Sequence, residues 1–310
     1  MTEICVLAPW PIFTVTIERT AEGKDEIYFH AGGQGFWVAR MIANLGSKPI
    51  LCGPIGGESG TVVRALIEAE GIALQAIDSD EWNGGYVHDR REGNRQTVAD
   101  MECAELNRHE SDDLYDAVLT AGMHAGVVVL TGAIKEDILA PEFYRRLAHD
   151  LHANGVKVIA DLSRGALLAV DGGITFLKVS HEELLRAGFC ENTERANVVA
   201  GLLKISETSK SENVIVSCAE EPAIALLGDR LLEVTPPRFE ALDHHGAGDS
   251  MTAALAVAEA RRMKPDAALR MAAAAGALNV TRHGLGTGKL AHIQEIASHV
   301  TVRPLDRNSL

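Results

Sequence analysis

The sequence predicts a doubly wound α/β fold with a mostly parallel central sheet. Short apolar runs alternate with stretches of helical period along the chain. The run Val127-Val128-Val129-Leu130 is apolar at every position, as a strand covered on both faces requires. The helix-like stretches close on Gly or Asn-Gly, residues that tolerate the left-handed backbone at a helix end.

Taken in order, Ile4-Cys5-Val6-Leu7 reads as the first strand and Ile50-Leu51-Cys52 as a second. Gly46 and Gly71 end the helices around the latter. After Val127-Val128-Val129-Leu130, a helix over residues 143–153 closes at Asn154-Gly155. The strand Val156-Lys157-Val158-Ile159-Ala160 follows, then Thr175-Phe176-Leu177-Lys178, a helix ending at Gly188, and Val214-Ile215-Val216-Ser217. Residues 223–227 read as a hairpin partner of that last strand. Two segments, 14–30 and 84–105, alternate polar and apolar residues without helical period, and read as antiparallel strands with one wet face. The expected organisation is therefore an α/β body (1–13, 31–83 and 106–310) with a small β lid (14–30 and 84–105) inserted in it. The polar tail after Thr301 reads as loosely held.

The bulk numbers agree with one large domain: 310 residues, 46% of them hydrophobic, can bury a sizeable core. The formal net charge of −14 argues against broad binding to a nucleic-acid backbone. No run of about 18 apolar residues suggests a membrane span, and Met1-Thr2-Glu3 lacks the basic start of a secretory signal. The five cysteines are widely spaced without a C-x-x-C pair, which fits buried thiols in a reducing cytosol.

The most informative stretch is Asp243-His244-His245-Gly246-Ala247-Gly248-Asp249-Ser250. Met251, Ala254, Leu255 and Ala258 follow at helical spacing, so a helix begins near Asp249. A small-residue loop at the positive end of a helix gathers backbone N–H groups that bind phosphate or a developing phosphoryl charge. A carboxylate placed there can take the proton of an attacking hydroxyl. The bland alternative is a tight turn with Asp249 as an N-terminal cap.

This stretch resembles the C-terminal signature of the PfkB carbohydrate kinases, D-T-T-G-A-G-D-S. Ala31-Gly32-Gly33-Gln34-Gly35-Phe36-Trp37-Val38-Ala39 resembles the family's first signature, G-G-K-G-x-N-x-A. Leu130-Thr131-Gly132-Ala133-Ile134, Asp161-Leu162-Ser163, Lys178-Val179-Ser180-His181-Glu182-Glu183-Leu184 and Ala275-Gly276-Ala277 resemble further family motifs, in family order. The likeness is greatest to the 1-phosphofructokinase and tagatose-6-phosphate kinase branch.

The resemblance implies a ribokinase-like three-layer α/β/α fold and an ATP-dependent phosphotransferase acting on a hydroxyl of a sugar, sugar phosphate or related small molecule. It implies Asp249 as general base and the backbone of Gly246, Ala247 and Gly248 as anion hole. ATP is the implied phosphoryl donor, with Mg²⁺ held through water by Glu183. Lys178 is implied to meet nucleotide phosphate, Ser217 to touch nucleotide, and Ala275, Gly276 and Asn279 to build an adenine pocket. The bland readings are an ordinary strand-end lysine and close helix packing. Gly32, Gly33 and Gln34 fall on the acceptor side. The implied setting is cytoplasmic, with a homodimer through the lid, and without nucleic acid or membrane as partner.

Departures cluster on the acceptor side. Ala8-Pro9-Trp10-Pro11 carries no sugar-binding Asp, Gln34 stands for the signature Lys, and Trp37 for the Asn. The branch's lid Arg has no direct match, with Arg90 or Arg91 as substitutes. An aromatic acceptor stacking on Trp10 or Trp37 is one expectation, core packing of both the other. Ser180 replaces the Asn of N-x-x-E, Ala219 and Pro222 replace glycines in the nucleotide loop, and His244 and His245 replace the Thr pair. The histidines are either titratable groups near the phosphates or loop residues. A nucleoside kinase and a catalytically weak nucleotide or metabolite sensor are the other readings of the same site. A nicotinamide-dependent oxidoreductase rests only on the faint Gly33-Gln34-Gly35 fingerprint, which follows an alternating rather than a buried strand.

Overall fold

Ten strands form one sheet in the order β14-β13-β12-β11-β10-β9-β8-β1-β4-β5. The structure is a computed structural model, describing residues 2–132 and 138–305. The strands β5 (Ala73–Asp78), β4 (Lys48–Ile55), β1 (Glu3–Leu7), β8 (Val127–Thr131), β9 (Lys157–Asp161), β10 (Phe176–Ser180) and β11 (Asn213–Cys218) run parallel. The strands β12 (Glu221–Leu227), β13 (Arg230–Thr235) and β14 (Thr301–Pro304) add an antiparallel edge.

Alternate residues of the central strands enter opposite cores, which makes three layers. Ile4, Val6, Val129 and Ile159 pack with helices α1 (Gln34–Asn44), α2 (Gly57–Ala69), α8 (Ala247–Ala260), α9 (Pro265–Asn279) and α10 (Leu290–His299). Cys5, Leu7, Val128 and Val158 pack with α3 (Arg108–Ala125), α4 (Pro141–Ala153), α5 (Arg164–Ala169), α6 (His181–Arg186) and α7 (Arg195–Ser209). Every residue of β8 is buried, as its unbroken apolar run requires. Gly46, Gly71, Gly155 and Gly188 all take positive φ, between 71° and 79°, where the helices before them end.

A separate four-stranded sheet has the order β3-β2-β6-β7, built from β2 (Ile12–Arg19), β3 (Asp25–Gly32), β6 (Gly85–Asp89) and β7 (Gln96–Met101). Each of the two segments forms an antiparallel pair, as expected. β2–β3 and β6–β7 are antiparallel hairpins, but β2 and β6 pair in parallel. Alternation along a strand sets which face is polar and says nothing about the direction of its partner. The register puts Ile12, Thr14, Thr16, His30, Tyr86 and His88 on one face and Phe13, Ile17, Ile27, Phe29 and Met101 on the other.

Candidate active site

The C-terminal ends of the parallel strands converge with the start of α8 at one edge of the main sheet, the usual location of ligand sites in such folds. Gly246 precedes α8 with φ 73°, a left-handed conformation that favours glycine. A Cβ there would also press on Leu285 at 3.2 Å. The first bond of the helix runs from Ser250 N–H to Gly246 O, at 3.0 Å. The N–H groups of Ala247, Gly248 and Asp249 thus have no helical acceptor, and no side chain caps them. They leave a positive helix end of the kind that can meet an anion, with Asp249 in its first turn.

Buried polar groups hold this end in place. Asn279 Nδ2 donates to His245 O at 2.7 Å, while its Oδ1 accepts from the Ser250 hydroxyl and the Gly286 N–H, each at 3.1 Å. Gly276 brings α9 against α8, since a Cβ there would meet Met251 Cγ at 2.8 Å. Ala275 is fully buried. Ala275, Gly276 and Asn279, the residues expected at an adenine pocket, thus lie in the packed α8–α9 contact, where Asn279 braces the loop.

Behind the loop lies a buried charge cluster. Lys178 Nζ pairs with Asp161 Oδ1 at 3.2 Å, and the Thr252 hydroxyl donates to Asp161 Oδ2 at 2.7 Å. The ammonium lies so close under Gly248 that a Cβ there would stand 2.5 Å from it. Burial pushes the Lys178 pKa down, but the charges of Asp161, Glu183 and Asp249 outweigh it and leave the group above its ordinary value. Lys178 is thus a charged, buried residue rather than a surface strand-end lysine. Asp249 moves the other way. Burial first, then the negative charge of Asp161, push its carboxyl up to about 7. Lys178 and a hydrogen bond from Gln34 pull it down, and Glu183 adds a further push up.

Ser180 and Glu183 form a capping box at the start of α6, with Glu183 Oε2 accepting the Ser180 N–H at 2.7 Å and Ser180 Oγ accepting the Glu183 N–H at 3.2 Å. The serine in place of asparagine therefore keeps the turn that aims Glu183. Among the described residues no three His, Cys, Asp or Glu side chains converge on a point. A single oriented carboxylate facing an anion-binding end fits an ion that keeps most of its water and shares phosphate oxygens, as Mg²⁺ does.

On the acceptor side, Gly33 takes φ 93° at the start of α1, where a Cβ would press on Trp10 O at 3.0 Å. A Cβ added at Gly32 would lie 2.8 Å from Thr14 Oγ1, a buried hydroxyl without a partner among the described residues. Gln34 Oε1 accepts the Gly132 N–H at 2.9 Å. Trp10 and Trp37 are both buried, which fits the core-packing alternative. Trp10 Nε1 donates to Ala104 O at 2.7 Å, and Trp37 packs edge-on to Phe36 with Arg40 over its ring at 4.7 Å. Ser217 stands next to the end of β11, its carbonyl accepting from His181 Nδ1 at 3.1 Å. Ala133 and Ile134 lie outside the described residues.

Thr14, Tyr86 and His88 escaped the sequence reading, whereas Arg90 and Arg91 were named in it. The polar face of the small sheet carries Thr14, Tyr86 and His88 toward the loop, with Tyr86 and His88 stacked at 4.3 Å. His88 Nδ1 accepts from Arg95 Nε at 2.7 Å. Burial first, then Arg95, Arg90 and His245, push its pKa down to about 4. Arg90, just past β6, pairs with Asp243 of the loop, whereas Arg91 pairs with Asp89 and Asp25 within the small sheet. The period-2 alternation was the available signal for Thr14 and His88.

The chain matches the family model described as pfkB family carbohydrate kinase over residues 12–291. It is 27% identical over 278 residues to the ATP-dependent 6-phosphofructokinase isozyme 2 of Escherichia coli, covering 87% of this chain and 89% of that one. It is 27% identical over 289 residues to the 1-phosphofructokinase of Vibrio cholerae, covering 89% and 87%. Its fold matches phosphofructokinase-2 from Escherichia coli in complex with potassium, with a TM-score of 0.84 at 24% identity over 96% of this chain and 99% of that one. It also matches an Arabidopsis thaliana ribokinase complexed with ribose and ATP, with a TM-score of 0.72 at 19% identity over 96% and 98%. A match to the family model over residues 12–291, on this fold and with these relatives, makes the chain a member of the pfkB family of carbohydrate kinases and an ATP-dependent phosphotransferase.

Proposed function

We propose that Asp249 is the general base of the transfer and that the N–H groups of Ala247, Gly248 and Asp249 receive the transferred phosphoryl group. The observation that carries this reading is the Asp249 carboxyl, pushed up to about 7 beside unpaired helix N–H groups. A carboxylate of that strength takes a hydroxyl proton readily at neutral pH. The acceptor oxygen bonds to the γ-phosphorus of ATP, the bridging P–O bond to ADP breaks, and the acceptor proton passes to Asp249. Lys178, locked by Asp161 beneath Gly248, supplies fixed positive charge where negative charge accumulates. Glu183 is the residue that would hold Mg²⁺ through water, and the ion would neutralise phosphate charge.

The small sheet acts as a lid (14–30 and 84–105) whose polar face, with Thr14 and His88, roofs the acceptor. The unpartnered Thr14 hydroxyl supports an acceptor that brings its own hydrogen-bonding groups, a sugar, sugar phosphate or similar polyol. The lid's opposite face exposes Ile27 at 57% and Phe29 at 56%, and we assign it to a second copy of the chain. A Phe29→Asp variant is expected to halve the mass measured by sedimentation equilibrium, and an unchanged mass would overturn that assignment.

The deciding experiment is an ATP-consumption screen with Mg²⁺ over sugars, sugar phosphates, nucleosides and polyols, with Asp249→Asn as control. A hit lost in the variant establishes the base and names the acceptor. A folded Asp249→Asn protein with wild-type turnover would sink the assignment.

A further inference from the structure

β10 ends at Ser180, whose register partner on β11 is Ser217, and α6 begins at the next residue, His181. Past these last paired residues a side chain carries the contact between the two strands: His181 Nδ1 lies 3.1 Å from Ser217 O. A carbonyl oxygen only accepts, so Nδ1 carries the proton and donates. The ring is half-buried and stands on a fixed base, because the capping box of Ser180 and Glu183 closes the first turn of α6 around it. Ser217 leads into the turn between β11 and β12. There the register shifts between Val216 and Cys218, Ala219 takes φ 51°, and Ala219 and Glu220 are exposed. The His181 bond thus anchors an irregular, exposed turn from outside its own hairpin.

We infer that His181 is a positioning residue for ATP: its ring holds the Ser217 end of β11 beside the first turn of α6, so that the β11–β12 turn stands as a fixed wall for the nucleotide. The inference rests on the proposed point of transfer at Asp249. The sheet order then gives the direction of ATP. The small sheet leaves the body after β1 and after β5, on one side of β9, and the acceptor lies under it. β10, with Lys178, and β11 lie on the other side of β9. α8, which carries Asp249, packs on β8 and β9 between the two. In-line transfer to an acceptor under the small sheet therefore directs the rest of ATP toward β10 and β11. A wall there serves binding best when it is fixed beforehand, since ordering a loose turn on binding subtracts from affinity. The bond takes the Ser217 carbonyl and leaves the Ser217 hydroxyl to meet a ligand.

The test uses three variants of the full chain. His181→Ala and His181→Phe remove the N–H, the second keeping a ring, and His181→Asn restores an N–H at similar reach. Binding of the non-hydrolysable analogue β,γ-imido-ATP with Mg²⁺ is measured by isothermal titration, beside the melting temperature of the nucleotide-free protein and the KM values for ATP and acceptor. The two variants without the N–H are expected to bind the analogue about 3- to 10-fold more weakly, the fold-change of one net hydrogen bond. The KM for ATP should rise by a similar factor while the acceptor KM holds, and His181→Asn should regain most of the binding. A merely structural role would lower the melting temperature without singling out ATP and without rescue by asparagine. Alanine suits the first turn of a helix, so His181→Ala carries the comparison if His181→Phe does not fold. Wild-type binding in both variants lacking the N–H overturns the inference, as does a His181→Asn protein that binds as weakly as they do. The titration needs no turnover. A fully active Asp249→Asn protein would therefore remove the proposed base while the titration still reads the His181 bond on its own.

Discussion

Arg90 Nη2 lies 2.9 Å from Asp243 Oδ2, with 17% and 10% of the two side chains exposed. The other Asp243 oxygen accepts the His245 N–H at 3.0 Å, so the ion pair ties the small sheet to the loop that precedes the anion hole. Burial pushes the Asp243 carboxyl up, but the hydrogen bonds from His245 and Arg90 outweigh it and leave the group below its ordinary value. Removing either partner is expected to loosen lid and loop together. Arg90→Ala and Asp243→Ala should each lower kcat/KM by about 10- to 100-fold, as misplacement of reacting groups does. A double-mutant cycle in urea unfolding should return a coupling of roughly 0.5–3 kcal/mol. Additive effects on both readouts would show that the pair does not link the two parts.

The raised Asp249 carboxyl has two consequences that differ in sign. As a base it must be ionised, so kcat/KM, which reports the free enzyme, should rise with pH through a midpoint near 7 and level off above it. For stability, the folded-state value of about 7 stands above the unfolded value of about 4. The folded chain binds the proton more tightly, so this group's contribution is fully present below about pH 4 and is lost as pH rises through about 7. Asp249→Asn removes the penalty of a buried charge at high pH. It should melt at a higher temperature than wild type at pH 8 while being inactive. A variant that melts lower than wild type at that pH would contradict the sign.

The main sheet was legible because its central strands are apolar on both faces, and Val127, Val128, Val129 and Leu130 admit few other readings. The main-sheet strands that escaped are β13, inside the antiparallel extension, and the two edge strands β5 and β14. β5 (ALQAID) buries only Ile77 fully among its residues, and β14 is four residues long and mostly exposed. The start of α8 after the Gly-rich loop was legible because a helical period follows directly on the small residues. The roles of Asn279 and Gln34 were not, since each is fixed by partners distant in sequence: His245 lies 34 residues from Asn279, and Gly132 lies 98 from Gln34. The burial of Trp10 followed the same rule, through an Ala104 carbonyl 94 residues away.

Ala219 shows where this chain departs from glycine at some cost. It takes φ 51° in the turn between β11 and β12, one of the non-glycine residues held in the left-handed region. A Cβ in that conformation costs roughly 1–2 kcal/mol, less what a flexible glycine loses in the unfolded chain. Ala219→Gly is therefore expected to stabilise the fold by about 1 kcal/mol, read as a higher urea midpoint with an unchanged slope. The same substitution restores the residue type usual in the nucleotide loop, so the KM for ATP should fall or hold. A lower urea midpoint would mean that the turn does not carry the strain.

Asp161 joins the stability of the buried cluster to the strength of the base. It is the nearest counter-ion of Lys178 and the largest charge acting to raise Asp249. Asp161→Asn keeps the shape and leaves the Thr252 hydroxyl an oxygen to meet, but it strips a buried ammonium of its partner. The cost should be roughly 3 kcal/mol in unfolding free energy, the lower part of the range for breaking a buried pair. On the pH profile two effects run the same way. Losing the Asp161 charge makes Asp249 easier to ionise, and an unpaired Lys178 pulls on it harder. The midpoint of kcat/KM should therefore fall below 7, and the plateau above it should fall too, because a weaker base takes the hydroxyl proton less readily. A profile whose midpoint stays in place while stability drops would confine Asp161 to holding Lys178 and remove it from the tuning of the base.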